Sequence, residues 1–231
     1  MNYWLIVPAA GSGRRFGSET PKQYLPLCGS TVIQNTLNRL GALPHVRQII
    51  VPINANDTLA AALSYQYPEK IKFVSGGVER ADSVLAGLNA LTEQADDNDW
   101  VLVHDVARPC VRLSDIAKLI DELHNHTVGG ILANPVRDTI KQAVTGGVDI
   151  ASTIPRSQLW QALTPQMFRY GLLRQALTQA QQQQAVVTDE ASALELLGYQ
   201  PRLVAGAHDN LKITYPEDLA LAEYLLRQQQ T

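Results

Sequence analysis

The stretch WLIVPAAGSGRRFG, residues 4–17, decides the fold. Its first seven residues form a continuous apolar run rather than an alternating one, which suits a strand buried on both faces of a parallel sheet. A glycine loop follows at once. Gly11, Gly13 and Gly17 permit positive φ and let a phosphate approach the main chain. Arg14 and Arg15 lie inside the loop, and Lys22 follows in TPKQY. Backbone N–H groups that bind phosphate oxygens, beside three cations that neutralise several charges, are what a triphosphate needs. A plain strand-to-helix turn is the competing reading; it leaves three cations in residues 14–22 without a reason.

Spacing excludes two other glycine motifs. A Walker A loop requires G-x-x-x-x-G-K-[ST], but five residues separate Gly11 from Gly17, and Ser18 stands where the lysine belongs. A dinucleotide fingerprint requires G-x-G-x-x-G, but three residues separate Gly13 from Gly17. The next strand ends Val51-Pro52-Ile53-Asn54, without the acidic residue that would hold a ribose.

Outward from this loop, strands are predicted at 4–8, 48–53, 71–75, 100–104, 130–133 and 202–205. Helices are predicted at 31–40 with Ser30 as cap, 56–66, 80–92, from a Ser114 cap to 124, 165–184, 189–197 and 216–229. Two of these helices, 165–184 and 216–229, open on proline. The alternation implies an α/β fold with a doubly wound, mostly parallel twisted sheet flanked by helices. Between about 135 and 160 the rhythm breaks. VRDTIKQA, TGGVDIAST and QLWQAL read as short strands around a Gly146-Gly147 turn, a β-hairpin arm. Its apolar residues Ile140, Val144, Val148, Ile150 and Ile154 either reach a partner, making a dimer, or fold back on their own domain.

Composition bounds the function. The 231 residues carry 19 Lys+Arg against 22 Asp+Glu, a net charge of −3, with 45% hydrophobic residues. That is an ordinary globular chain with no global attraction to nucleic acid, and 6% aromatic residues give no stacking platform. Cys28 and Cys110 cannot build a disulfide framework or a Cys-rich metal site, and five histidines lack zinc spacing. No apolar run approaches the ~20 residues of a membrane span, and no basic segment precedes residues 4–10 as in a secretory signal. The expectation is a cytoplasmic protein with neither nucleic acid nor membrane as partner.

Three further segments carry chemistry. Gly76-Gly77 precedes Glu79-Arg80-Ala81-Asp82-Ser83-Val84, which places Ser83 in the first turn of a helix, either to meet a ligand or simply as a helix-start residue. In His104-Asp105-Val106-Ala107-Arg108-Pro109-Cys110, Asp105 ends a strand where open α/β sheets bind ligands, and it suits Mg²⁺ shared with triphosphate oxygens. Arg108 could hold a phosphorylated second substrate. His104 and Cys110 read as packing residues, since no nucleophile elbow exists and His104 should face away from Asp105. Asp209 is a candidate second metal ligand or a turn former. Asp138, Thr139, Arg156, Asn210 and Lys212 are candidate polar contacts that individually read as surface residues.

Eight blocks appear together: PAAGSGRR at 8–15, PKQY at 21–24, ERADSV at 79–84, HDVARP at 104–109, PVRDT at 135–139, LTPQ at 163–166, TDEASALE at 188–195 and NLKIT at 210–214. In this order they resemble the 2-C-methyl-D-erythritol 4-phosphate cytidylyltransferases of the non-mevalonate isoprenoid pathway, across nearly the whole chain. The resemblance implies a Rossmann-like nucleotidyltransferase in one domain, 1–231, whose arm swaps across a homodimer. It implies transfer of a cytidylyl group from CTP to the alcohol phosphate, with release of pyrophosphate and with Mg²⁺. Arg15 and Lys22 match transition-state stabilisers, and Arg156 and Lys212 match the residues that position the alcohol phosphate. Asp105 matches the metal-side carboxylate. Arg108 and Thr139 match contacts to methylerythritol phosphate, Thr139 across the dimer. Pro8, Ala9, Ala10, Gly11, Gly13, Gly77, Arg80, Ser83, Ala107 and Thr164 match substrate-binding positions. Val78 departs from the acidic residue many members carry there, a position expected to read the base through its main chain. A ribitol 5-phosphate cytidylyltransferase would share the loop, the lysine and the carboxylate. A non-catalytic nucleotide-binding module would not need a second set of phosphate-binding cations.

Overall fold

The computed structural model describes residues 2–11 and 20–229. In chain order the elements are β1 (Tyr3–Ile6), β2 (Pro26–Leu27), β3 (Ser30–Thr31), α1 (Val32–Gly41), β4 (Val46–Ile53), β5 (Ile71–Ser75), α2 (Arg80–Asn89), β6 (Trp100–Val103), α3 (Leu113–Leu123) and β7 (Gly129–Pro135). There follow β8 (Ile140–Ala143), β9 (Ile150–Ile154), β10 (Trp160–Arg169), α4 (Tyr170–Gln182), α5 (Glu190–Leu196), β11 (Arg202–Ala205) and α6 (Glu217–Gln228).

Seven strands form one sheet in the order β11-β7-β10-β6-β1-β4-β5. All neighbours pair in parallel except β10, which runs antiparallel to both β6 and β7. The continuous apolar runs have a direct cause: successive residues of each central strand point into different cores. Leu5, Ile49 and Leu102 meet Leu37 of α1 and Leu119 of α3 on one face. Trp4, Ile6, Ile50, Val101 and Val103 meet Leu88 of α2, Leu173 of α4 and Leu194 of α5 on the other. α6 packs separately, its Ala222 and Leu226 against Leu27, Val32 and Cys110.

Several predicted elements are corrected. Thr31, not Ser30, caps α1, in a reciprocal box with Gln34. α3 starts after Arg112, ahead of Ser114. Residues 56–66 form only a short 3₁₀ turn, Ala60–Ala62. The Asp57 carboxylate accepts from the Leu59 and Ala60 N–H groups, and the Tyr65 hydroxyl donates to the Ala60 carbonyl, which a continuing α-helix would use. The largest correction is at 165–184. Pro165 does not open a helix; it lies in β10 where the ladder to β7 shifts register, between Ala162 and Gln166. Leu163, Met167 and Phe168 are buried, and that apolar burial between two neighbouring strands outweighs the helix-start signal of the proline. From Trp160 onward the QLWQAL segment therefore belongs to the main sheet, while β8 and β9 alone make the hairpin, with Ile140 opposite Ile154. Val148 and Ile150 on that hairpin are exposed.

Leu102 in β6 is fully buried. Leu102→Ala is expected to lower the unfolding free energy by about 2–5 kcal/mol in urea titration; a loss below about 1 kcal/mol would contradict the central placement of β6.

Candidate active site

The carboxyl ends of β1, β5 and β6 open on one side of the sheet, where ligands of open α/β sheets bind. Past β1 the chain stays extended: Val7 N–H donates to Ile50 O at 2.9 Å and Ala9 N–H to Pro52 O at 2.8 Å. This carries Pro8, Ala9, Ala10 and Gly11 to the rim of a cleft of about 280 Å³. Gln23, buried to 3% exposure, donates to the carbonyls of Ala9 at 3.0 Å and Gly11 at 3.4 Å, and so fixes the start of the glycine loop. Past β5, Gly76 and Gly77 bend sharply into α2. A side chain at Gly77 would run into Asp82, and one at Gly76 into Ala10 and Ser83. Ser83 Oγ accepts from Gly77 N–H at 3.1 Å and donates to Glu79 O at 3.2 Å, which holds the bend that forms the cleft wall.

Past β6 stands Asp105, its side chain 9% exposed. Arg80 Nε lies 2.9 Å from Oδ1, while Lys212 Nζ at 2.8 Å and Arg108 Nε at 3.3 Å share Oδ2. Burial alone would raise the pKa of this carboxyl; the three cations overcome it and hold the group far below the usual carboxylate range. Arg80 is itself clamped by Glu190, from Nη1 to Oε1 at 2.6 Å and from Nη2 to Oε2 at 3.1 Å. Burial works against its charge, but Glu190 and Asp105 keep it more firmly protonated than an ordinary arginine. Burial lowers the pKa of Arg108 against the pull of Asp105. Lys22 reaches the same cleft from the 3₁₀ turn Lys22–Tyr24 and donates to Ile213 O at 3.0 Å, which ties it to the loop that carries Lys212.

Most predicted site residues thus converge. Pro8, Ala9, Ala10, Gly11, Lys22, Gly77, Arg80, Ser83, Asp105, Ala107 and Lys212 all line the cleft. Arg108 and Thr164 do not line it; they lie behind Asp105, whose N–H donates to Thr164 Oγ1 at 3.2 Å. Thr164 thus supports the Asp105 turn. Thr139 and Arg156 sit beside the hairpin, outside this cleft, and the Arg156 guanidinium donates to Arg137 O. Arg15 and Gly13 lie outside the described residues. Asp209 is corrected: Arg112 engages both its oxygens, with Nη2 at 2.7 Å, and Asp209 does not line the cleft. Among the described residues no three His, Cys, Asp or Glu side chains converge as metal ligands. Mg²⁺ takes few protein carboxylates and completes its shell with substrate phosphates and water, so Asp105 fits it and Asp209 does not. Cys110 is buried with its thiol pushed up to about 12 by that burial, which is no nucleophile's environment.

Glu190 and Gln23 also help build the cleft, although no motif in the sequence singles them out. Gln23 stands inside the PKQY block, and Glu190 directly follows the helix cap Asp189 in TDEASALE. A carboxylate there is ordinary helix chemistry on sequence grounds; only its 1% exposure marks it as the partner of a buried cation.

The chain matches the family model described as 2-C-methyl-D-erythritol 4-phosphate cytidylyltransferase over residues 3–228. A protein of that name from Vibrio atlanticus is 52% identical over 223 residues, covering 96% of this chain and 94% of the relative. One from Escherichia coli O127:H6 is 50% identical over 221 residues, covering 96% and 92%. Among solved structures, a 2-C-methyl-D-erythritol 4-phosphate cytidylyltransferase from Francisella tularensis superposes with a TM-score of 0.85 at 37% identity, covering 97% of this chain and 100% of that one.

His104 is fully buried, and burial pushes its pKa down to about 4. The unfolded chain therefore takes up a proton near pH 6.5 that the folded chain refuses until about pH 4. The stability this neutral ring confers is complete above pH 6.5 and is lost as pH falls towards 4. In urea titrations over that range, wild type is expected to lose stability relative to His104→Gln, by up to about 1.4 kcal/mol per pH unit. Parallel pH profiles would contradict a buried neutral His104.

Proposed function

The chain belongs to the 2-C-methyl-D-erythritol 4-phosphate cytidylyltransferase family and transfers a cytidylyl group from CTP to that alcohol phosphate in the non-mevalonate isoprenoid pathway; from this premise we propose how its cations divide the work between the two substrates. The observation that carries the proposal is the convergence of Lys22, Arg80 and Lys212 around Asp105 in one cleft.

CTP enters along Pro8–Gly11 and the Gly76–Ser83 bend. Main-chain groups at Gly77 and Val78 meet the cytosine, and the triphosphate lies against the glycine loop with Gly13 and Arg15. A phosphate oxygen of the alcohol phosphate attacks the α-phosphorus in line, and pyrophosphate leaves as 4-diphosphocytidyl-2-C-methyl-D-erythritol forms. The attacking oxygen is already anionic, so no general base and no covalent enzyme intermediate are needed. The barrier is repulsion between two anions together with their alignment. Lys22 and Arg15 offset charge that builds on the α-phosphate and the leaving group. Lys212 in the cleft, Arg108 from behind Asp105 and Arg156 of a second copy hold the attacking phosphate. Mg²⁺, held by Asp105 and the triphosphate's own oxygens, would supply further charge neutralisation. When the substrates arrive, Arg80 stays anchored by Glu190, while the more exposed Lys212 can exchange Asp105 for phosphate.

The chain is proposed to be a single cytoplasmic domain whose β8–β9 arm pairs two copies. Thr139 and Arg156 lie off their own cleft, and the arm exposes Val148 and Ile150, which supports these residues completing the partner's site. Among the described residues no helix is long and apolar enough to cross a membrane.

Lys22→Ala is expected to lower kcat for pyrophosphate release by about 10²–10³, with a much smaller change in KM for CTP. An intact kcat with weakened CTP affinity would overturn its transition-state role. Arg156→Ala alone should be impaired with methylerythritol phosphate. After refolding it together with Lys22→Ala, hybrid dimers carrying one intact site should restore about a quarter of wild-type activity from random pairing; no recovery would mean that Arg156 serves its own chain. The same assay with ribitol 5-phosphate in place of methylerythritol phosphate should give little turnover.

A further inference from the structure

Behind the cleft wall lie three buried polar residues, His104, Thr164 and Asn210, of which His104 has no assigned task. With Arg108 they form a closed circuit. Thr164 Oγ1 lies 3.0 Å from His104 Nδ1, and His104 Nε2 lies 3.0 Å from Arg108 O. Arg108 Nη1 donates to Asn210 O at 2.7 Å, and Asn210 Nδ2 donates to Thr164 O at 2.7 Å. The main chain dictates the hydrogens. A carbonyl only accepts, so the ring proton belongs on Nε2. Thr164 Oγ1 already accepts from Asp105 N–H at 3.2 Å, which leaves its hydroxyl hydrogen for Nδ1. Each residue then donates to the next in one direction around the circuit, and along Asp105 N–H, Thr164 hydroxyl and imidazole each group accepts one bond and donates the next, so those bonds polarise one another.

The circuit joins three distant segments: the turn after β6, the register shift of β10 and the loop before α6. His104 is its hub. The ring spans the tight turn closed by Arg108 N–H to Asp105 O at 3.0 Å, gripping the Arg108 carbonyl at one end and, through Thr164, the Asp105 N–H at the other. A residue that only filled space would be apolar; here both ring nitrogens are engaged and the ring is wholly buried.

We propose that His104 is a positioning residue for the second substrate. It holds the turn that carries the Arg108 guanidinium behind Asp105, the position from which Arg108 would reach the alcohol phosphate. The inference rests on the reading of Arg108 as a contact to that phosphate.

The test is steady-state kinetics of the full chain with each substrate varied, normalised to the folded fraction by circular dichroism. Three variants are compared: His104→Leu, which removes both ring bonds, His104→Gln, which keeps a donor near Nε2, and Arg108→Ala. His104→Leu is expected to lower kcat/KM for methylerythritol phosphate by about tenfold to a hundredfold. KM for CTP should stay within about twofold, and His104→Gln should recover part of the loss. If His104→Leu does not fold, Thr164→Val against Thr164→Ser makes the same comparison, because serine keeps the hydroxyl. Equal losses for the two substrates, or no difference between the variants that keep and lose the bonds, would overturn the positioning role while a defect in Arg108→Ala left the reading of Arg108 standing. Unchanged methylerythritol phosphate kinetics in Arg108→Ala would overturn that reading, and the inference with it.

Discussion

The architecture of the cleft depends on one buried carboxylate. Asp105 is nearly inaccessible to water, yet it is charged because Arg80, Arg108 and Lys212 reach it from three different segments. Each of those cations would repel the others if Asp105 were absent. Removing the carboxylate would leave three cations, Arg80, Arg108 and Lys212, with only Glu190 among the described residues to offset them. The carboxylate is therefore both the glue of the cleft and the reason that a strongly positive surface stands ready where two anions must meet. The cations stand there before any substrate binds, and in the proposed reaction Lys212 would pass from the carboxylate to a phosphate.

The sheet explains how the segments find each other. Parallel strands deliver their carboxyl ends to one edge, so the turns after β1, β5 and β6 are neighbours although they are remote in sequence. β10 is the exception that matters. It runs against its neighbours, and its interrupted ladder brings Thr164 beneath Asp105. Gln166, two residues on, accepts from Ala191 N–H at 2.9 Å and donates to Asp189 at 2.9 Å. The start of α5, which presents Glu190 to Arg80, is thereby tied to the same strand. One strand thus supports the Asp105 turn and the clamp on its first cation.

Much of this was legible in the sequence. The apolar runs of β1, β4 and β6 read as doubly buried strands because each residue does pack into a core. Asp105 read as a ligand-end carboxylate because it directly follows such a run. Lys22 and Lys212 read as partners only through the family resemblance; nothing local predicts that residues so far apart share a cleft. Pro165 misled because proline marks helix starts and strand interruptions alike, and tertiary burial decides between them. Residues 56–66 misled because a carboxylate and a tyrosine hydroxyl take up the bonds a helix would need. Glu190 went unread and His104 read only as a packing residue for a common reason: their significance lies in burial and long-range partners, which no local pattern encodes.

The central claim is that Asp105 organises the cations rather than merely adding a negative charge to the cleft. Simple electrostatics makes the opposite forecast, since neutralising the carboxylate should make the cleft more attractive to anions. The decisive measurement is the kcat of pyrophosphate release by Asp105→Asn at saturating CTP and methylerythritol phosphate. A fall of at least about a hundredfold, in a variant that still binds CTP, is what an organising carboxylate predicts. Wild-type turnover, or faster, would contradict it.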